Sequence, residues 1–205
     1  MTATETSWDA LHQDIRHRLV YPSEHVIRWL DGLPGTTALD IGCGHGRHTR
    51  LLRQQGWDVY GVDASREAAW RTARWFPADR IRHARMDALP FADDTFDIAL
   101  AYGVFYYGTP DQADRAIAEL LRVLKPGGQA LVKVRTDRDW RAAHLANGLL
   151  NIPGEPEDGM TMHFLNGQDI ERVYEAFTDV IYELTETTSR ERTRRDSDWL
   201  ITVTR

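Results

Sequence analysis

The chain has 205 residues, 42% of them hydrophobic and 27% charged, the make-up of an ordinary globular domain with a full core. A net charge of −6 supplies no basic stripe, so an open nucleic-acid surface is not expected. No apolar run reaches membrane-spanning length, the start lacks the basic and apolar segments of a signal peptide, and one cysteine, Cys43, excludes an intrachain disulfide and fits a reducing cytoplasm.

The first 34 residues read as two helices. Ser7 is placed to cap the first, whose apolar residues Trp8, Leu11, Ile15 and Leu19 recur at helical spacing. Pro22 suits the start of a second helix running through Trp29 and Leu30. Gly32-Leu33-Pro34-Gly35 resets the chain. Strand 1 follows at 38–41, then a glycine turn and a helix to about Gln55. Strand 2 is 58–62, and Ser65 caps a helix carrying Ala68, Ala69, Ala73 and Phe76. Strand 3 is 81–86 and strand 4 is 96–102. A helix from Asp111 carries the stripe Ile117, Leu120, Leu121 and Leu124, and Pro126-Gly127-Gly128 ends it before strand 5 at 130–135.

Residues 137–165 break the alternation and are rich in Gly, Pro and acids. Asn166 then caps a helix with Ile170, Val173, Tyr174 and Phe177, and two β-prone runs close the chain at 179–188 and 199–203. Having no helix between them, they predict an antiparallel hairpin. Its turn carries the basic run 190–195, read as a solvated tip rather than an RNA patch. Strict strand–helix alternation predicts an α/β, doubly wound, mostly parallel seven-stranded sheet with helices on both faces and an antiparallel strand at the C-terminal edge.

Residues 38–49 read A-L-D-I-G-C-G-H-G-R-H-T. Glycine is needed where the chain turns sharply or a ligand must touch backbone. Gly42, Gly44 and Gly46 stand at G-x-G-x-G spacing, whereas a dinucleotide fingerprint needs its third glycine one residue later. In such sheets ligands sit outside the carboxyl ends of the strands. Strand 2 ends at Asp63 and Ala64, strand 3 at Met86-Asp87-Ala88, strand 4 at Ala101-Tyr102-Gly103. With Asp40 two residues before the first glycine, this series resembles the class I, Rossmann-like S-adenosylmethionine-dependent methyltransferases of the small-molecule, type 11-like kind. The resemblance covers the chain from about Thr36 onward.

It implies that Gly42, Gly44 and Gly46 let backbone approach the methionine part of S-adenosylmethionine, and that Asp40 helps fix its amino group. Asp63, with Ala64, takes the ribose; Asp87 and the backbone of Ala88 read adenine; Ala101 and Tyr102 lie beside the sulfonium; Tyr21 closes the site from the N-terminal side. Acid–base candidates are Tyr102, Tyr106 and His163, and the Arg135 fork suits a substrate carboxylate or phosphate, or else a surface salt bridge.

The acids Asp137, Asp139, Glu155, Glu157 and Asp158 have no metal-ligand spacing, so no metal is expected. After strand 4 the chain lacks the Asn/Asp-Pro-Pro-aromatic pattern of DNA amino-methylating enzymes. The expected organisation is one domain: a helical cap over 1–35, a cofactor core over 36–136, a lid over 137–165, and a helix and hairpin over 166–205. A cytoplasmic monomer or homodimer acting on a small molecule, with no nucleic-acid or membrane partner, is the leading reading. The alternatives are an enzyme of this fold doing other chemistry on the cofactor, and a non-catalytic cofactor-binding subunit.

Overall fold

A computed structural model of the chain describes Trp8, Asp9, His12, residues 20–189 and residues 194–205. Most of the expected first helix, including Ser7, Leu11, Ile15 and Leu19, lies outside the described residues, as do 190–193 of the basic run. The second helix, α1, is Glu24–Trp29 with Ser23 as its N-cap, so Pro22 precedes the cap instead of opening the helix.

The alternation then runs as expected. β1 (Thr37–Ile41) leads to α2 (Arg47–Gln54), β2 (Asp58–Asp63) to α3 (Arg66–Ala73), then β3 (Ile81–His83), β4 (Phe96–Tyr102), α4 (Pro110–Val123) and β5 (Leu124–Arg135). Ser65 caps α3 by accepting from Ala68 N–H. Thr109 and Gln112 form a reciprocal capping box on α4, whose buried stripe is Ala113, Ala116, Ile117, Leu120 and Val123. A 3₁₀ turn (Trp140–His144), a two-residue hairpin of β6 (Leu145–Ala146) and β7 (Leu149–Leu150), α5 (Gly167–Val173), β8 (Asp179–Ser189) and β9 (Arg194–Thr204) complete the chain.

The main sheet has seven strands in the order β3-β2-β1-β4-β5-β9-β8. β1 to β5 pair in parallel, and β9 is antiparallel to both β5 and β8. The antiparallel strand is therefore one place inside the edge, because β8 crosses over and β9 returns to fill the gap beside β5. Strands 1 and 4 are apolar on both faces, as parallel strands sandwiched between helices must be. One face buries Val26 of α1 and its C-cap Leu30 with Leu52 of α2. The other buries the α4 stripe, Ile170 of α5, and Leu150, Ile152 and Met162 of the irregular segment.

β9 begins at Arg194, ahead of the expected 199, because it pairs with β8 as far as Ser189, so Arg194 and Arg195 of the basic run lie in the strand and not in the tip. Two further boundaries differ from the sequence reading. Leu124 already has extended backbone, so β5 begins before Pro126-Gly127-Gly128 and carries those residues within it. β3 stops at His83, where its only neighbour is β2, and the chain then turns so that Met86 and Asp87 face the crevice.

Candidate active site

A cavity of about 860 Å³ opens along the carboxyl ends of β1 to β5. Its floor is the glycine turn. Gly42 has φ +71°, and a Cβ there would stand 2.9 Å from the Val104 Cβ. Gly46, the N-cap of α2, has φ +75°, and its Cβ would meet Thr72 Cγ2 at 2.7 Å. Both positions therefore need glycine for conformation and for space. The N–H groups of Gly42 and Cys43 donate to Val62 O at 2.8 and 2.9 Å, stitching the turn to β2. Cys43 is buried in that turn, and burial pushes its thiol well above the ordinary range.

Asp63 is buried at the end of β2. Its carboxylate accepts from Gly44 N–H at 2.7 Å and from Ser65 N–H at 2.8 Å, and burial raises its pKa. It links the glycine turn to the cap of α3 while still facing the cavity beside Ala64. Asp87 also lines the cavity; burial alone would raise its pKa, but Arg85, at 2.9 and 3.1 Å, and Arg115, at 3.3 Å, bring it below the usual carboxylate value.

The other positions expected at the cofactor sit off the cavity wall. Asp40 is buried behind the turn and accepts from Thr49 Oγ1 at 2.6 Å, which pins the first turn of α2. Ala101 is fully buried, Ala88 is exposed, and neither they nor Gly46 line the cavity. Tyr21 is 84% exposed, and only its carbonyl approaches the site, accepting from Arg47 at 3.5 Å.

Burial raises the Asp40 pKa from 3.8 to about 6. The folded chain therefore favours the protonated acid more than the unfolded chain does. That stabilisation is complete below about pH 4 and is lost as pH rises through 6, a swing of about 3 kcal/mol. Denaturant titrations of Asp40→Asn between pH 4 and 7 should show a flatter stability profile than the parent chain; an unchanged slope would rule this origin out.

The far end of the cavity is aromatic and ionic. The Tyr102 hydroxyl meets Ser23 Oγ at 2.7 Å, and the Arg47 guanidinium stands 5.7 Å from its ring centre. Tyr106 and Tyr107 are both neutral phenols, held up by burial; Tyr107 donates to Glu157 at 2.8 Å. Arg135 is neither a surface salt bridge nor a free fork. It lies in an internal network with Asp139 at 3.0 Å, Asp198 at 3.6 Å and Glu157 at 3.8 Å, beside Arg141, which meets Glu157 at 2.6 Å. Segment 137–165 supplies a wall of the cavity through Leu149, Glu157, Met160 and Thr161. His163 is not among the lining residues: its Nδ1 sits 3.3 Å from Gly108 O, its N–H donates to Tyr106 O at 3.0 Å, and burial lowers its pKa.

Several site residues were not singled out from the sequence. Trp8 packs edge-on against Tyr107 at 4.5 Å, and Asp9 accepts from Ser65 Oγ at 2.6 Å. Arg47 and His48 line the cavity; burial, with the Arg47 charge, lowers His48 to about 3, so it is neutral and accepts from Ser23 N–H at 3.2 Å. Their place at the first turn of the helix after the glycines was the available signal. Among the described residues no cluster of three or more metal-binding side chains occurs, and no helix is long and apolar enough to cross a membrane.

Comparison with known proteins converges on this region. Residues 39–132 match the family described as methyltransferase domain. The chain is 37% identical over 123 residues to 2-methyl-6-phytyl-1,4-hydroquinone methyltransferase of Synechocystis, across 57% of this chain and 37% of that protein. It is 33% identical over 131 residues to malonyl-[acyl-carrier protein] O-methyltransferase of Pectobacterium atrosepticum, across 64% of this chain and 50% of that protein. The chain thus spans half or less of the length of these two curated relatives. A solved S-adenosylmethionine-dependent methyltransferase from Methanosarcina mazei shares the fold, with a TM-score of 0.71 at 21% identity over 90% of this chain and 98% of that one. The resemblance first read from the glycine turn and the strand-end acids is therefore borne out: residues 39–132 match the methyltransferase domain family, and the chain shares the seven-stranded fold of the S-adenosylmethionine-dependent methyltransferases.

Proposed function

We propose that the chain is an S-adenosylmethionine-dependent methyltransferase acting on a small-molecule acceptor. The observation that carries this reading is a single cavity reaching Gly42 and Gly44 after β1, Asp63 after β2, Asp87 after β3 and Tyr102 after β4. Two carboxylates and a backbone cradle, in that order, fit an adenosine with an amino-acid tail. When bound, the cofactor supplies a methyl group already activated by a sulfonium.

The protein's part is mainly positioning and exclusion of water. Gly42 and Gly44 admit the ligand to the backbone, Asp63 and Ala64 hold the ribose, and Asp87 receives the adenine amino group. Asp40, Gly46 and Ala101 act from behind the wall by fixing the turn and the strand end. Tyr102 and Tyr106 wall the reacting centre as neutral hydrogen-bond donors. His163 acts on the reaction through the Tyr106 backbone and not by touching the acceptor. Segment 137–165 is the lid, tied to the strand-4 loop by Gly108 N–H to Thr161 O at 2.8 Å. Of the two relatives, the hydroquinone methyltransferase accords with a small-molecule acceptor, whereas the other is named for a malonyl group carried on a protein. A cytoplasmic location accords with the free thiol of Cys43, and the assembly proposed is a monomer or homodimer with no nucleic-acid or membrane partner.

Incubation with candidate acceptors and cofactor carrying a deuterated methyl group tests the reading. Transfer of the label to a small molecule is expected; conversion of the cofactor without a labelled acceptor would instead favour other chemistry on it. Tyr106→Phe should lower turnover about five- to tenfold, the value of one lost neutral hydrogen bond, with cofactor affinity unchanged. Steady-state kinetics showing full turnover in this variant would remove Tyr106 from the reacting end.

A further inference from the structure

Among the described residues, five lysine and arginine side chains line the cavity: Arg47, Arg85, Lys133, Arg135 and Arg141. Four of them have a carboxylate in place. Arg85 meets Asp87 at 2.9 Å, Lys133 meets Asp198 at 2.7 Å, Arg135 meets Asp139 at 3.0 Å and Arg141 meets Glu157 at 2.6 Å. Arg47 has no carboxylate oxygen within 4 Å among the described residues; its contacts are the Tyr21 carbonyl and the Tyr102 ring. At Arg135 and Arg141 burial also disfavours the charge, but surrounding anionic groups such as Glu157 overcome it, whereas at Arg47 burial outweighs the charge of Asp40, which lies beyond ion-pair distance, and the pKa falls.

A partly desolvated cation that makes no direct ion pair is costly, and an arriving anion relieves that cost. Arg47 extends from the first position of α2 toward Tyr102, on the side of the cavity away from Asp63 and Asp87. That side is where the acceptor stands in the function proposed above, on which this inference rests. The guanidinium fork is planar and matches a carboxylate with two parallel N–H donors.

We propose that the methyl acceptor is a small carboxylate, and that Arg47 holds its charged group against the face of Tyr102. Among the described residues the four paired cavity cations are neutralised by their own acids, so selection for an anion falls to Arg47. A carboxylate could also come from the amino-acid end of the cofactor, and the test separates the two sources.

The probes are benzoate and its neutral counterpart benzamide, titrated by calorimetry into the chain saturated with S-adenosylhomocysteine. Benzoate should bind at least about tenfold more tightly than benzamide. Arg47→Gln should bring the two within about twofold, Arg47→Lys should keep part of the preference, and both variants should bind S-adenosylhomocysteine within about threefold of the parent. Equal binding of the two probes to the parent chain overturns the proposal. So does an Arg47→Gln variant that keeps the benzoate preference but binds S-adenosylhomocysteine about tenfold more weakly, because Arg47 then serves the cofactor's own carboxylate. If the parent chain does not bind S-adenosylhomocysteine at all, the methyltransferase reading fails separately. The same probes on the unloaded chain then decide whether the anion site stands without it.

Discussion

Asp63→Ala is expected to weaken S-adenosylmethionine binding by roughly 30- to 150-fold, a loss of about 2–3 kcal/mol. Two effects add in the same direction. The variant loses the carboxyl group proposed to accept from the ribose hydroxyls. It also frees the Gly44 and Ser65 N–H groups that the carboxylate now satisfies at 2.7 and 2.8 Å, loosening the glycine turn and the start of α3 together. Asp63→Asn keeps an oxygen for one of those donors and should fall between the parent and the alanine variant. Calorimetry on samples of unchanged far-UV circular dichroism is the measurement. Parent-like affinity in Asp63→Ala would remove the ribose assignment.

Gly42→Ala is expected to cost roughly 2–4 kcal/mol of stability and to abolish measurable cofactor binding. The backbone at φ +71° disfavours any side chain, and the new methyl would press on Val104 at 2.9 Å, the residue that follows β4 into the acceptor loop. A displaced turn could no longer present backbone to the ligand. The double variant Gly42→Ala with Val104→Ala separates the two causes: it should recover the part due to crowding and leave the part due to backbone strain. Urea unfolding measures the first quantity and calorimetry the second. A single variant as stable as the parent and still binding cofactor would show that the turn does not need glycine at this position.

Most of the sheet could be read from the chain because each parallel strand is a short apolar run closed by a turn signal, and each helix starts at a side chain that caps it. Ser65 and Asn166 cap as expected, since a capping oxygen acts on residues within one turn of itself. What could not be read is set by distant partners. The place of β9 depends on pairing with β5 across many intervening residues, so local pattern gave its antiparallel sense but not its position inside the edge.

The same division runs through the site. Asp63 and Tyr102 stand at strand ends, where the topology itself delivers them to the cavity, and Asp87 reaches it from the turn that follows β3. Asp40 follows the expected spacing, yet its side chain turns to Thr49, a contact only the packed helix reveals. His163 and Tyr21 were placed by their position beside irregular segments, and nothing local fixes where such segments aim their side chains. Arg47 is the opposite case: a helix-start arginine is common in sequence, and its lack of a carboxylate within 4 Å among the described residues becomes visible only once the other cavity cations are seen paired.

The most direct test of the account is a calorimetric titration of the chain with S-adenosylmethionine, S-adenosylhomocysteine and NAD in turn. Micromolar binding of the first two, on the order of −8 kcal/mol, and no heat with NAD are expected. Binding of NAD with no response to either adenosyl compound would contradict it.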